Sequence, residues 1–174
     1  MRFTEADVRF MTGMIAHHAQ ALVMAGLAPT HGASQPLQTL TARTINAQQD
    51  EIATMQRWLR DRGQPVPEVH IEGTTLVVRG AGDDAMHMPG MLTSDQMRDL
   101  DQARGPEFDR RFLTYMIQHH GGAVTMVQDL LLTYGAAQDG AVFKLASDIQ
   151  VDQATEIARM ELMLKALPDT GRDP

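Results

Sequence analysis

Two kinds of side chain that bind soft metals are placed in this chain in ways that packing alone does not require. The seven histidines include two adjacent pairs, His17-His18 and His119-His120. Thirteen methionines accompany them, a heavy load for 174 residues in which only 5% are aromatic. Methionine is a flexible core filler, but its thioether is also a soft ligand suited to Cu(I), and imidazole serves many transition metals. Cysteine is absent. That removes disulfides, zinc–thiolate sites and cysteine nucleophiles together.

On a helix, neighbouring residues point about 100° apart. One histidine of each pair can therefore face a helix-bundle interior while the other sits at its flank. Met14 lies three and four residues before His17 and His18, so a thioether and an imidazole can share one face and chelate an ion; Met116 stands likewise to His119 and His120. Met24, seven residues beyond His17 and so about 10 Å along the axis, belongs to a neighbouring layer or reaches only partway; Met126 is the matching candidate in the second half. Core packing is the competing account of each methionine, and a hydrogen-bonded core histidine is the competing account of each imidazole.

Two further patterns carry polar groups into apolar stripes. Gln48-x-x-Glu51 and Gln153-x-x-Glu156 interrupt helices that otherwise repeat apolar residues every three or four positions, with Met55 and Met160 one turn on. Buried polar groups need partners. These residues either orient the imidazoles through hydrogen bonds, the favoured reading, or ligate directly through Glu51 and Glu156. The run Met86-His87-Met88-x-x-Met91 lies beside Pro89-Gly90 and outside any apolar periodicity. Three thioethers and one imidazole there fit a linear or trigonal Cu(I) or Ag(I) site, against a hydrophobic clasp as the packing alternative. Thioethers need no deprotonation, so this loop is expected to retain Cu(I) at mildly acidic pH better than the histidine pairs.

The elements that must position these groups follow from an internal repeat. A shift of about 102 residues places Asp7, Arg9, Phe10, Thr12, Met14, Ile15, His17, His18, Ala21 and Met24 on Asp109, Arg111, Phe112, Thr114, Met116, Ile117, His119, His120, Ala123 and Met126. At a slightly larger shift, Gln48, Glu51, Ile52, Met55 and Leu59 fall on Gln153, Glu156, Ile157, Met160 and Leu164. Each half reads as two helices. The first opens at a capping box on Thr4 and stops by Gly26 and Pro29. The second opens at Ser34 with Pro36 in its first turn and runs to Gly63-Gln64-Pro65. Pro106 opens the third, ending at Gly135. Asp139 or Gly140 opens the fourth, ending at Pro168. Two amphipathic αα-hairpins, residues 4–62 and 106–167, cannot bury their apolar faces alone and are expected to form one four-helix bundle over residues 1–174. The linker 63–105 holds a β-branched run, Thr74 to Val78, expected in a short hairpin, and a short helix capped by Thr93.

Composition excludes other classes. A formal charge of −7 and a pI near 5.4 argue against a nucleic-acid binder. No stretch approaches the roughly 20 apolar residues of a membrane span. No Gly-x-Ser-x-Gly or phosphate-cradling loop supports hydrolytic or nucleotide chemistry. Met1 to Glu5 shows no apolar signal core, which leaves a cytosolic protein or a processed form.

The Met-Ile-x-His-His core at 14–18 and 116–120, with Gln48-x-x-Glu51-Ile52 and its counterpart, resembles the bacterial "domain of unknown function 305" family, which includes periplasmic copper-binding proteins of the CopM type. The resemblance covers nearly the whole chain. It implies a ferritin-like bundle, periplasmic or secreted, that handles copper through histidine and methionine, with Ag(I) as a mimic. The expected function is thus Cu(I) sequestration, tolerance or delivery, with a copper-donating or copper-accepting protein as partner. Two alternatives stand beside it. One is a metal-free interaction module stapled by its histidines. The other is a di-iron or di-manganese oxidase, for which the Glu-x-x-His signature of such sites is missing.

Overall fold

The computed structural model describes residues 3–82 and 87–168. Four long helices arise where the caps place them. Thr4 accepts from the backbone N–H of Asp7, whose carboxylate accepts from the Thr4 N–H in return, opening α1 (Glu5–Gly26). Ser34 accepts from Leu37 N–H at the start of α2 (Gln35–Asp61). The pair β1 (Glu68–Glu72) and β2 (Thr75–Arg79) forms an antiparallel hairpin with Glu72 opposite Thr75. A second capping box, Thr93 with Gln96, opens α3 (Ser94–Gln102). Gly105, in the left-handed region at φ 60°, leads into α4 (Pro106–Leu132), and Asp139 caps α5 (Gly140–Ala166) through Ala141 and Val142. The end of the third long helix differs from expectation: α4 stops at Leu132, before Gly135, and Ala137 takes a positive φ in the loop that follows.

α1 packs on α2, α4 packs on α5, and α1 and α4 pack on each other, with the β-hairpin against α1. The result is an all-α bundle carrying one short hairpin. Two apolar clusters lie at its ends. One gathers Phe10, Met11, Met14, Met55, Trp58, Met126 and Val127 with the start of α5. The other gathers Met24, Leu37, Phe108, Phe112, Met116 and Met160. The early part of α1 therefore shares a cluster with the late part of α4, and the converse, as two helices running antiparallel require. First-turn aspartates tie the two hairpins together. Asp7 Oδ1 accepts from Ala137 N–H at 2.7 Å, and Asp109 accepts from Ser34 N–H at 3.1 Å, so each reaches the interhelix loop of the other hairpin.

The linker returns across this bundle as a strap. At Gly122 of α4, a Cβ would stand 1.8 Å from Pro89 O and 2.7 Å from Gly90 Cα, so backbone lies directly on backbone there. Gly90 itself needs a positive φ of 76°. From α1, the Gln20 amide holds Leu92 at both ends, accepting from its N–H at 2.7 Å and donating to its carbonyl at 3.1 Å. For Met88 and Met91, the expectation that the loop group escapes core packing is corrected by this docking. Met88 packs against the first cluster and Met91 is buried, because small and polar positions on α1 and α4 make room for the strap.

Candidate metal centre

Between the two apolar clusters lies a polar layer. His17 and His18 from α1 and His119 and His120 from α4 are all buried, at 1% exposure or less. Gln48 of α2 and Gln153 of α5 are buried beside the same level of the bundle. The antiparallel crossing of α1 and α4 brings the two histidine pairs together, with the rings of His17 and His119 at 3.9 Å between centroids. Both pairs are wholly interior, so the expected division into one inward and one flanking histidine does not hold. α1 is enclosed by α2, α4, the hairpin and the strap, which leaves residues 13–21 no solvent flank.

Hydrogen bonds fix the rings. His18 Nε2 donates to Glu51 Oε2 at 2.5 Å, and His120 Nε2 donates to Glu156 Oε2. Glu156 also accepts from the Thr44 hydroxyl. His17 Nε2 donates to the strap carbonyl of Pro89 at 2.9 Å. A carboxylate or carbonyl oxygen can only accept, so in all three rings Nε2 carries the hydrogen, and in a neutral ring Nδ1 then bears a free lone pair. None of these Nδ1 atoms has a partner, nor does either nitrogen of His119. Gln48 Oε1 and Gln153 Oε1 are likewise unpartnered. Among the described residues, only Arg110 Nε adds to this set from elsewhere.

Burial of such an atom without a partner costs about 1–3 kcal/mol. A layer of them rivals the whole net stability of a domain, about 5–15 kcal/mol. Such a layer calls for partners that satisfy its lone pairs. Two of its histidines are held neutral: burial, then the neighbouring His18, pushes His17 down to about 3, and burial with the charges of His17, His120 and His18 lowers His119 well below the ordinary imidazole value. Both rings thus stay unprotonated at mildly acidic pH.

Glu51 and Glu156 stand as hydrogen-bond partners that orient imidazoles, the arrangement in which a carboxylate fixes the ring tautomer and leaves the other nitrogen to a metal. Outside them, Asp152 is raised by burial and then by the charges of Glu51, Asp148 and Glu156. The methionines divide differently from expectation. Met14 and Met116 fall in opposite clusters: Met14 lies with Met55 and Met126, and Met116 with Met24 and Met160. Each cluster thus collects thioethers from three helices, flanking the histidine layer on either side. Met88 joins the first. Its Cε and Sδ lie 2.8 and 3.2 Å from where a Cβ on Gly13 would be, and Met126 Cε lies 3.5 Å from the same point. Of the loop group, Met91 belongs to neither cluster although its N–H donates to Met88 O, His87 is exposed, and Met86 lies outside the described residues. No three His, Asp or Glu side chains among the described residues already converge as a metal cage. Sequence reasoning missed Gly13, Gln20 and Gly122, whose only signal was that they break the repeat, facing Tyr115, Gly122 and Gln20 under the 102-residue shift.

Comparison with known proteins agrees with this architecture. A DUF305 fragment from Deinococcus radiodurans matches with a TM-score of 0.79 and 29% identity, covering 96% of this chain and 100% of that one. A DUF305 protein from Streptomyces coelicolor matches with a TM-score of 0.76 and 24% identity over 92% and 91% of the two chains, showing a shared fold. CopM in its Cu(I)-bound form matches with a TM-score of 0.67 and 26% identity over 94% and 97%. No match was found among curated proteins. The sequence profile of the family described as "Domain of unknown function (DUF305)" matches residues 7–164, and the chain belongs to that family.

Proposed function

We propose that this protein binds a soft monovalent cation, Cu(I) or its mimic Ag(I), in the interior of the bundle, as a copper-sequestering, tolerance or delivery protein rather than an enzyme. The observation that carries the reading is the layer of buried, unpartnered imidazole nitrogens on His17, His18, His119 and His120. Neutral imidazole is a competent ligand without releasing a proton. Thioethers of Met14, Met126 and Met88 on one side, and of Met24 and Met116 on the other, complete the donor set, because the histidines alone do not converge. Met55 and Met160 line the same two clusters. Thioether and imidazole ligation without cysteine suits an oxidising, periplasmic or secreted setting, where a copper-donating or copper-accepting protein would exchange the ion. CopM, whose solved forms include Cu(I)-, Cu(II)- and silver-bound ones as well as an apo form, supports the same reading by similarity.

A metal-free staple is the second reading, favoured by the bonds from His18 to Glu51 and from His120 to Glu156 that join α1 to α2 and α4 to α5. It leaves every Nδ1 unexplained. Anaerobic equilibration with Cu(I), followed by desalting and mass-spectrometric metal analysis, separates the two. Stoichiometric copper, lost when His17, His18, His119 and His120 are all changed to Ala, is the expected result, together with a rise in melting temperature on metal addition. A copper-free wild-type protein whose melting temperature ignores the ion would establish the staple.

A further inference from the structure

The histidine layer is closed on most sides. α1 is buried along nearly its whole length, and residues 88–92 lie over His17 and α4. Between α2 and α5 the enclosure opens. A cleft of about 170 Å³ there is lined by Gln48, Glu51, Asp152, Gln153 and Glu156, with Arg43 and Arg159 at its edge. It runs into a wider cleft of about 550 Å³ that shares Glu51 and Asp152 and adds Asp50 and Asp148, the latter paired with Lys144. The carboxylates alone would be an ordinary solvated face. The glutamines are not ordinary: Gln48 and Gln153 are only 2% and 3% exposed, line the inner cleft, and keep their Oε1 atoms unpartnered. Beside them on the same cleft, and more exposed than they are, Glu51 and Glu156 hold the rings of His18 and His120.

We propose that the α2–α5 cleft is the route by which a cation reaches the histidine layer, with Asp50 and Asp152 concentrating it at the mouth and the Gln48 and Gln153 oxygens replacing its water inside. The inference rests on the reading of the chain as a cation binder. An anionic cleft with low-dielectric walls raises the local cation concentration and the association rate. Carbonyl-type oxygens can stand in for a hydration shell. Oxygen donors hold a soft monovalent ion loosely, whereas the imidazoles and thioethers behind hold it firmly. The ion is thus passed inward along a gradient of ligand softness.

Stopped-flow binding of silver nitrate tests this. The proteins are the wild type, the Asp50→Asn/Asp152→Asn variant, the Gln48→Leu/Gln153→Leu variant and, as a control on the opposite side, Gly122→Ala. The Asp pair is expected to slow association by about tenfold at low ionic strength and to flatten its salt dependence, with little change in dissociation constant. The Gln pair, which exchanges buried amides for similar apolar volume, is expected to slow association at every salt concentration while the fold persists. Wild-type rates in both variants, with silver affinity intact, would overturn the route alone. Faster binding in Gly122→Ala with no effect of the cleft variants would place the route under the strap and overturn it too. A wild-type protein that takes up no silver would instead overturn the cation-binding reading on which the route depends.

Discussion

His17 and His119 stack across the crossing of α1 and α4 with ring centroids 3.9 Å apart and planes 34° from parallel. Neither ring can be charged there cheaply, since burial comes first among the causes that lower both, with the charge of His18 next for His17 and that of His17 next for His119. The unfolded chain has no such constraint, and its histidines take protons near 6.5. Between that value and the folded value of about 3 for His17, the unfolded state binds more protons than the native state. Stability must then fall as pH falls through this window, and it is unaffected above it. Urea unfolding of the metal-free protein at pH 7.0, 6.5, 6.0 and 5.0 is expected to lose about 1.4 kcal/mol per pH unit for His17, approaching about twice that with His119, before most carboxylates titrate. A midpoint that stays level from pH 7 to pH 5 would contradict the buried, neutral pair.

The glutamates that hold His18 and His120 should act on metal affinity through the rings they orient. Removing such a partner commonly lowers affinity by about 10–100-fold. Glu51→Leu and Glu156→Leu are each expected to show a loss of that order in calorimetric titration with Ag(I). Glu51→Gln, which keeps an acceptor oxygen, should lose less. Equal losses in Gln and Leu variants would assign the carboxylate a direct bond to the ion, the reading set aside above.

Adjacent glycines in α4 offer a paired test of the strap. A Cβ on Gly121 meets nothing within 4 Å, whereas one on Gly122 would collide with Pro89 O and Gly90 Cα. Gly121→Ala should therefore stabilise the helix, by up to about 1 kcal/mol. Gly122→Ala should destabilise by about 1–3 kcal/mol, as overpacking does, because the obstruction is backbone and not a flexible side-chain tip. Hydrogen exchange at Leu92, whose N–H is held by Gln20, should quicken in the second variant alone. Similar stability changes in both variants would mean that the strap is not seated on α4.

Much of the bundle was legible because its signals are local. Thr4, Ser34, Thr93 and Asp139 cap helices through their own nearest N–H groups, and the apolar spacing of each stripe names its buried face. The meeting of His17 with His119, and of His18 with Glu51, was within reach because matched motifs on packed helices must arrive at matched levels. What sequence could not supply was the crossing of α1 and α4. Their antiparallel run sends Met14 to Met126 and Met116 to Met24, and a spacing of three or four residues along one helix carries no information about that exchange. The strap was illegible for a related reason. Its place depends on what Gly13, Gln20 and Gly122 lack or offer, and a glycine inside a helix reads as a weak helix former until its neighbour is known.

Gly13 gives the last test. Its counterpart under the repeat is Tyr115, whose hydroxyl donates to Asp99. α1 has no side chain at this position, and Met88 occupies the space beside Met126 instead. The two thioether clusters consequently differ: the first has Met88 of the strap packed against it beside Gly13, whereas the second has Met97 of α3 and Met163 packed against it. Silver titration of the wild type is expected to resolve two affinities. Met88→Leu conserves volume, so its stability should change by less than about 1.5 kcal/mol. It removes a sulfur donor, so the tighter affinity should weaken by about tenfold, equivalent to about 1.4 kcal/mol, and converge on the other. Met163→Leu, a partly buried methionine beside the second cluster, serves as the control and should leave both affinities in place. If Met88→Leu binds silver as the wild type does, Met88 is a packing residue, and the difference between the two clusters has no bearing on the ion.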